Sequence, residues 1–103
     1  MSQRRRLPAR RCSESFEIEH CGLRYTVSFS RFDDGTIGEC FISNRKRGNA
    51  SDIAARDAGI ILSFALQYGA PIADIARAVS RNSDGSASGA VAAVLDQILG
   101  REP

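Results

Sequence analysis

A long apolar helix is predicted in the second half of the sequence, and the rest of the chain has to cover it. The run DIAARDAGIILSFALQY, residues 52–68, repeats apolar side chains at helical spacing, and residues 58–66 are apolar almost all round the helix. The side chains predicted to face the core are Ile53, Ile60, Ile61, Phe64, Ala65 and Tyr68. Gly69 is predicted to end the helix, and Pro71 to begin the next one. We therefore expect a central helix buried against a sheet.

Two segments before this helix alternate apolar and polar side chains, as half-buried strands do. They are SFEIEH (residues 15–20) and LRYTVSF (residues 23–29). The connection between them ends in Gly22, which accepts the positive φ of a tight hairpin. After a turn at residues 33–35, the run TIGECFIS predicts a third antiparallel strand. Its buried face is left open between Ile37, Glu39 and Phe41 on one side and Gly38, Cys40 and Ile42 on the other.

Two shorter amphipathic helices follow the long one, at residues 71–80 and 90–99. Three strands followed by three helices predict an α+β fold, in which a hairpin plus a third strand forms a three-stranded antiparallel sheet with the helices packed on one face. We expect a single domain over residues 15–100. A basic arm, disordered or loosely docked, is predicted over residues 1–14, and a tail over residues 101–103.

The charge of the chain is unevenly distributed. Residues 1–11 hold five arginines and no acidic residue, whereas residues 12–103 carry a net charge of −3. Clustered guanidinium groups bind polyphosphates, so a small nucleic-acid-binding or nucleotide-binding protein is one hypothesis, with a solvated terminus as the plainer alternative. The predicted phosphate contacts are Arg4, Arg5, Arg6, Arg10, Arg11, Arg45, Lys46 and Arg47.

Several classes of protein are disfavoured by the sequence. It contains no apolar run of about 18 residues and no secretory signal, so we expect a soluble, cytoplasmic protein without a membrane segment. The cysteines Cys12, Cys21 and Cys40 include no CxxC pair, and with His20 they lack the paired spacing of a zinc site. No phosphate-binding loop signature is present. We therefore predict no metal and no cofactor.

Two carboxylates lie at positions where the pattern predicts burial. Asp57 falls on the predicted core face of the long helix, and Glu39 lies between apolar residues of the third strand. A buried carboxylate needs a partner, which Arg24, Arg31 or Arg56 can supply. The candidate buried or ligand-facing side chains are Glu39, Asp57, Arg24 and Arg56. Both a structural ion pair and a ligand pocket stay open, and no catalytic residue is assigned.

Residues 38–71, GECFISNRKRGNASDIAARDAGIILSFALQYGAP, resemble a known family. The family pattern is a Gly-Glu-x-Phe strand, a glycine-containing loop, and a long helix ending in Ser-x-Ala-Leu-Gln-Tyr-Gly-x-Pro. The matching positions here are Gly38, Glu39, Phe41, Gly48 and residues 63–71. The chain from about Phe16 to Leu99 is thereby similar to the TSCPD domain, found at the C-terminus of cobalamin-dependent (class II) ribonucleotide reductases and in small bacterial relatives.

The resemblance implies an association with deoxyribonucleotide synthesis. The Thr-Ser-Cys-Pro-Asp motif that names the family is absent, and no cysteine follows Cys40, so the electron relay or metal binding ascribed to the reductase tail cysteines has no counterpart in this sequence. We expect a non-catalytic interaction or regulatory module whose protein partner can be the reductase itself. The nucleic-acid binder, an enzyme centred on Glu39, Asp57 or His20, and a homodimer stay open.

Overall fold

A computed structural model describes residues 3–9, 12–44 and 49–101 of the chain. The elements are β1 (Ser13–His20), β2 (Leu23–Arg31), β3 (Ile37–Asn44), α1 (Ala50–Gln67), α2 (Ile72–Ala78) and α3 (Ala90–Leu99). The strands form one antiparallel sheet in the order β1-β2-β3. The predicted α+β fold, a three-stranded antiparallel sheet followed by three helices, is therefore confirmed.

The β1–β2 hairpin closes through a two-residue turn. Cys21 and Gly22 both have positive φ, 52° and 80°, which is the backbone that two-residue hairpin turns of type I′ require. The register places Phe16 opposite Val27 and Ile18 opposite Tyr25. These pairs share one face of the sheet, and the alternation predicted for both strands is observed.

The face of β3 that the sequence left open is now assigned. Cys40 pairs with Phe29 and Ile42 pairs with Val27, so these residues lie on the core face of the sheet. Phe41, 51% exposed, therefore lies on the opposite face.

The register between β2 and β3 shifts at Gly38. Ser30 pairs with Glu39 while Arg31 pairs with Ile37, which leaves Gly38 as the extra residue of a β-bulge. A Cβ atom on Gly38 would lie 2.7 Å from the Phe32 ring, so only glycine fits here without displacing that ring.

The prediction that the apolar stripe of α1 faces the core is wrong. Ile53, Ile60, Ile61, Phe64 and Tyr68 are between 45% and 68% exposed. The buried positions of α1 are Asp52, Ala55, Gly59, Leu62, Ser63, Leu66 and Gln67. The physical reason is that α1 runs along β3, the edge of the sheet, whose outward backbone groups need hydrogen-bond partners that isoleucine and phenylalanine lack.

Polar side chains of α1 supply those partners. The Asn44 amide donates to Asp52 Oδ1 at 2.9 Å, and the Cys40 amide donates to Ser63 Oγ at 2.9 Å. The Ser63 hydroxyl in turn lies 3.0 Å from the Cys40 carbonyl oxygen. Gln67 Nε2 donates to the Gly38 carbonyl at 2.9 Å. The helix thus bonds to backbone groups of β3 at Gly38, Cys40 and Asn44.

The helix backbone contacts the strand directly at Gly59. A Cβ atom there would lie 3.0 Å from the Cys40 carbonyl oxygen and 3.2 Å from the Ile42 amide nitrogen. Glycine at this position lets α1 come close enough for the Ser63 hydrogen bonds to form.

The core lies between the sheet and the helices. Its most deeply buried side chains are Val27, Phe29, Cys40, Ile42, Val94, Leu95 and Ile98. None of the helices in the described part of the chain is both long and apolar enough to cross a membrane.

The connection between α2 and α3 is held by Arg81. Its guanidinium donates to both Asp96 carboxylate oxygens, at 2.7 and 2.8 Å, and to the Ala76 carbonyl at the end of α2, at 2.6 Å. The hydrogen bond from Arg81 lowers the pKa of Asp96, and the Asp96 carboxylate raises the pKa of Arg81. This clamp fixes the spacing of the two helices that form one side of the site described next.

Candidate functional site

An apolar cleft of about 730 Å³ lies between α1 and the segment running from α2 to α3. Its α1 wall is formed by Ala54, Ala58, Ile61 and Ala65, and its opposite wall by Ile75, Val79, Ala90 and Val91. Polar atoms reach the lining through Ser51, Ser80 and Tyr25, and within the described residues no charged side chain lines it. The arrangement is suited to burying apolar groups of a ligand or partner.

The spacing of small residues in α1 explains why the cleft is open. Ala54, Ala58, Ile61 and Ala65 follow one another at intervals of four, three and four, so they lie on one face of the helix. Three of the four are alanines, which fill too little space to close the gap to α3. Sequence reasoning missed this surface, although the recurrence of alanine at helical spacing was the signal that marks it.

The N-terminal arm forms a second, polar cleft of about 410 Å³, lined by Arg4, Arg5, Arg6, Leu7, Glu39 and Gln67. Arg4 Nε donates to Gln67 Oε1 at 2.6 Å, and its guanidinium carbon lies 4.3 Å from the centre of the Phe64 ring. The Arg5 amide donates to the Gln67 carbonyl at 2.6 Å. Residues of the predicted arm therefore contact the end of α1.

Arg5 also connects the arm to the β2–β3 turn. Its guanidinium carbon lies 3.9 Å from the centre of the Phe32 ring, and Nη2 donates to Asp34 Oδ2 at 2.9 Å. Hydrogen bonds from the Thr36 side chain and amide, and then from Arg5, lower the pKa of Asp34 to about 2. The guanidinium thus binds to the protein's own surface, where it holds the arm in place.

The four candidate buried or ligand-facing side chains do not meet in one place. Glu39 is 8% exposed and lines the arm cleft. Arg24 lies at the hairpin end of β2. Its Nη1 is 3.3 Å from Glu17 Oε1 and its Nη2 is 3.7 Å from Glu19 Oε2. Because Glu39 pairs with Ser30, several residues further along β2, Arg24 and Glu39 are about 20 Å apart.

The burial predicted for Asp57 is wrong. Asp57 is exposed, because the face of α1 that carries it points away from the sheet. The buried carboxylate of this helix is Asp52, 1% exposed, which accepts from Arg56 Nε at 3.0 Å. Asp52 lies three residues after the N-cap Asn49, whose side chain accepts from the Asp52 amide. Its place in the first turn was visible in the sequence, but its contact with β3 was not.

Five of the predicted phosphate contacts, Arg10, Arg11, Arg45, Lys46 and Arg47, lie outside the described residues. Arg4, Arg5 and Arg6 lie within them and are exposed. Arg4 and Arg5 bond to Gln67 and Asp34 as described above, so two of the three described arginines of the cluster are directed at the protein's own surface.

Cys12 and Cys40 lie away from the β1–β2 turn that carries His20 and Cys21. Cys12 and Cys21 are exposed, while Cys40 is buried and its burial raises the pKa of the thiol to about 12. His20 Nε2 lies 3.3 Å from the Ser88 carbonyl oxygen. Across residues 3–9, 12–44 and 49–101, no three His, Cys, Asp or Glu side chains are grouped so that they can hold a metal ion.

Comparison with known proteins identifies the family to which the chain is similar. Residues 3–102 match the TSCPD domain family. The chain is also 33% identical over 76 residues to a vitamin B12-dependent ribonucleotide reductase of Agrobacterium fabrum, and 32% identical over 72 residues to one of Bradyrhizobium diazoefficiens. These matches cover 74% and 70% of this chain but only 6% of each reductase. No solved structure shows significant similarity to the chain.

Proposed function

This chain belongs to the TSCPD domain family, and we propose that it is a non-catalytic module that binds a protein partner in deoxyribonucleotide synthesis. The partner we propose is a vitamin B12-dependent ribonucleotide reductase. The observation that carries the proposal is the apolar cleft between α1 and α3, whose lining offers apolar side chains rather than acids, bases or nucleophiles.

The dimensions of the cleft favour a polypeptide ligand. Its α1 wall extends from Ala54 to Ala65, which is about three turns or 16 Å of helix. A partner helix of that length presents apolar anchors at successive turns, and such anchors are how an amphipathic helix binds a hydrophobic groove. The alanines of the wall leave room for bulkier side chains from the partner.

Homology supports the choice of partner. The chain is similar to a short segment of reductases that are much longer than itself, since the match covers 6% of each. A domain related to that segment can use the surface through which the segment contacts the rest of the reductase. We infer that the cleft is this surface, and that binding there brings the module to the reductase without adding a reaction.

The proposal is tested by calorimetric titration of the purified protein with the B12-dependent reductase of its source organism. Ala58→Glu places a carboxylate on the cleft wall, where it stays hydrated in the free protein but is buried by a docked partner. Since burying an unpaired charge costs several kcal/mol, we expect binding to weaken at least about tenfold.

The matched control is Ala50→Glu, the same change at an exposed position in the first turn of α1, where a carboxylate is favourable to the helix. It is expected to bind the reductase as the wild type does. Circular dichroism establishes that both variants are folded. Absence of binding by the wild type at about 100 µM, or an equal loss in both variants, refutes the proposal.

A further inference from the structure

A second apolar surface lies on the outer side of α1. We call it the α1 ridge, and its members are Ile53, Asp57, Ile60, Ile61, Phe64 and Tyr68. The five apolar members are 45–68% exposed. At about 100° per residue, all six fall within a stripe about 100° wide, the width with which a surface helix normally packs on a neighbour. In the described part of the chain, the apolar stripe of α1 is exposed to solvent instead of packing on a neighbouring element.

The spacing of the ridge is symmetric about the peptide bond between Ile60 and Ile61. Ile53 and Tyr68 are equally far from that point, as are Asp57 and Phe64. A two-fold axis perpendicular to the helix brings the same patch of two subunits together, and in such a contact each residue meets its counterpart across the axis. We propose that two copies of this chain associate through an antiparallel, two-fold symmetric contact between their α1 ridges.

Charge complementarity supports the antiparallel arrangement. Asp57, the one charged member of the ridge, faces Phe64 of the other copy in this contact. Arg4 lies over Phe64 with its guanidinium carbon 4.3 Å from the ring centre. Arg4 gives its Nε proton to Gln67, and the same guanidinium carries four further N–H donors on its Nη nitrogens. Each Asp57 therefore meets an Arg4 of the other subunit, twice per dimer.

The exposed area is that of a small interface. Five apolar side chains at about half exposure present roughly 500 Å², at the upper end of what a monomer normally leaves uncovered. Phe41, which is 51% exposed, lies beside the helix and adds to this area: a Cβ atom built on Gly59 would be 3.4 Å from the Cα atom of Phe41. A standard interface buries about 800 Å² per partner, so we expect a dissociation constant on the order of micromolar.

The dimer does not depend on the proposed reductase binding, because the cleft occupies a neighbouring face of α1. Only Ile61 belongs to both surfaces. Measurements on the purified protein alone test the dimer, and titration with the reductase tests the cleft, so either proposal can fail while the other stands.

Sedimentation velocity on the protein alone is the first test. We expect the wild type to show a monomer–dimer equilibrium between about 1 and 200 µM. Ile60→Glu should raise the dissociation constant at least about tenfold, because each subunit then places a carboxylate against the apolar surface of the other. Gln97→Glu, an exposed change on α3, serves as the control and should dimerise as the wild type does. A wild type that stays monomeric over this range, or an Ile60→Glu variant that dimerises normally, overturns the proposal.

Disulfide trapping tests the geometry, in a background where the exposed Cys12 and Cys21 are replaced by serine. Ile61→Cys lies next to the proposed axis, within the Cα separation of about 6 Å that a disulfide spans. Ile53→Cys lies about 11 Å along the helix from the axis, so its two copies are about 22 Å apart. We expect mild oxidation to link Ile61→Cys into dimers, and Ile53→Cys to link only when it is combined with Tyr68→Cys. Linking of Ile53→Cys to itself indicates a parallel pair and contradicts the two-fold contact proposed here.

Discussion

Gly59 gives the sharpest test of how α1 meets the sheet. Helix propensity alone predicts that Gly59→Ala stabilises the protein, by about 1 kcal/mol. The structure predicts the opposite sign. The added Cβ would lie 3.0 Å from the Cys40 carbonyl oxygen, 3.2 Å from the Ile42 amide nitrogen and 3.4 Å from the Phe41 Cα. All three are backbone atoms of β3, and none can rotate out of the way.

The size of the effect follows from what must move. Inserting a methyl group into a close-packed contact costs about 1–3 kcal/mol. Moving α1 outward also lengthens the hydrogen bonds of Ser63 and Gln67 to β3, each of which contributes about 1 kcal/mol. After subtracting the propensity gain, we expect a net destabilisation of about 1–2 kcal/mol, or a fall in Tm of about 4–15 °C for a domain of this size.

The assay is urea denaturation followed by circular dichroism, with Gly100→Ala as the matched control. Gly100 has helical dihedrals, and the nearest atom to its Cβ position, the Asp96 carbonyl oxygen, lies at 3.4 Å. Gly100→Ala should therefore be neutral or stabilising by up to about 1 kcal/mol. If Gly59→Ala stabilises the protein as much as Gly100→Ala does, the direct contact between α1 and the edge strand is refuted.

Three further predictions concern the turns and clamps of the fold. Cys21→Asn should raise the free energy of unfolding by about 0.5–1 kcal/mol in thermal or urea denaturation, because asparagine accepts the positive φ of this turn more readily than cysteine; an unchanged or lower stability contradicts the type I′ assignment. The stabilisation from the Asp34 carboxylate should be present above about pH 4 and lost as the pH falls through the folded pKa of about 2, so Asp34→Asn should flatten the dependence of stability on pH between about 2 and 4; identical pH profiles would argue against its hydrogen bonds. Arg81→Met should destabilise the protein through loss of its bonds to Asp96 and to the end of α2, measured as a shift of the urea midpoint to lower concentration, and a neutral variant would show that the clamp is dispensable.

Local features of the fold were predictable from the sequence because their causes are local. Alternation in β1 and β2 depends on neighbouring residues, and Gly22 and Gly69 stand where the chain needs positive φ. The orientation of α1 was not predictable in this way. Its most apolar stripe faces solvent, because Ser63 and Gln67 must reach backbone groups of β3 more than twenty residues earlier in the chain.

The candidate sites show the same division. The basic cluster was visible as a run of arginines. The partners of Arg4 and Arg5 lie 63 and 29 residues away in sequence, so the role of these two arginines in docking the arm could not be predicted. Glu39 is buried, and the residues beside it belong to the arm and to the end of α1 rather than being Arg24 or Arg56. The apolar cleft is formed largely by alanines of separate helices, and a pattern of alanines on one helix does not indicate what faces it.

The central claim is that the cleft between α1 and α3 receives the reductase, and methyl NMR tests it most directly. On addition of the reductase, the methyl signals of Val79 and Val91, which line the cleft, should broaden or shift at saturation, while those of Val27, buried in the core, and Ile53, on the ridge, stay in place. Binding that leaves the Val79 and Val91 signals unchanged, or perturbs Ile53 instead, would contradict it.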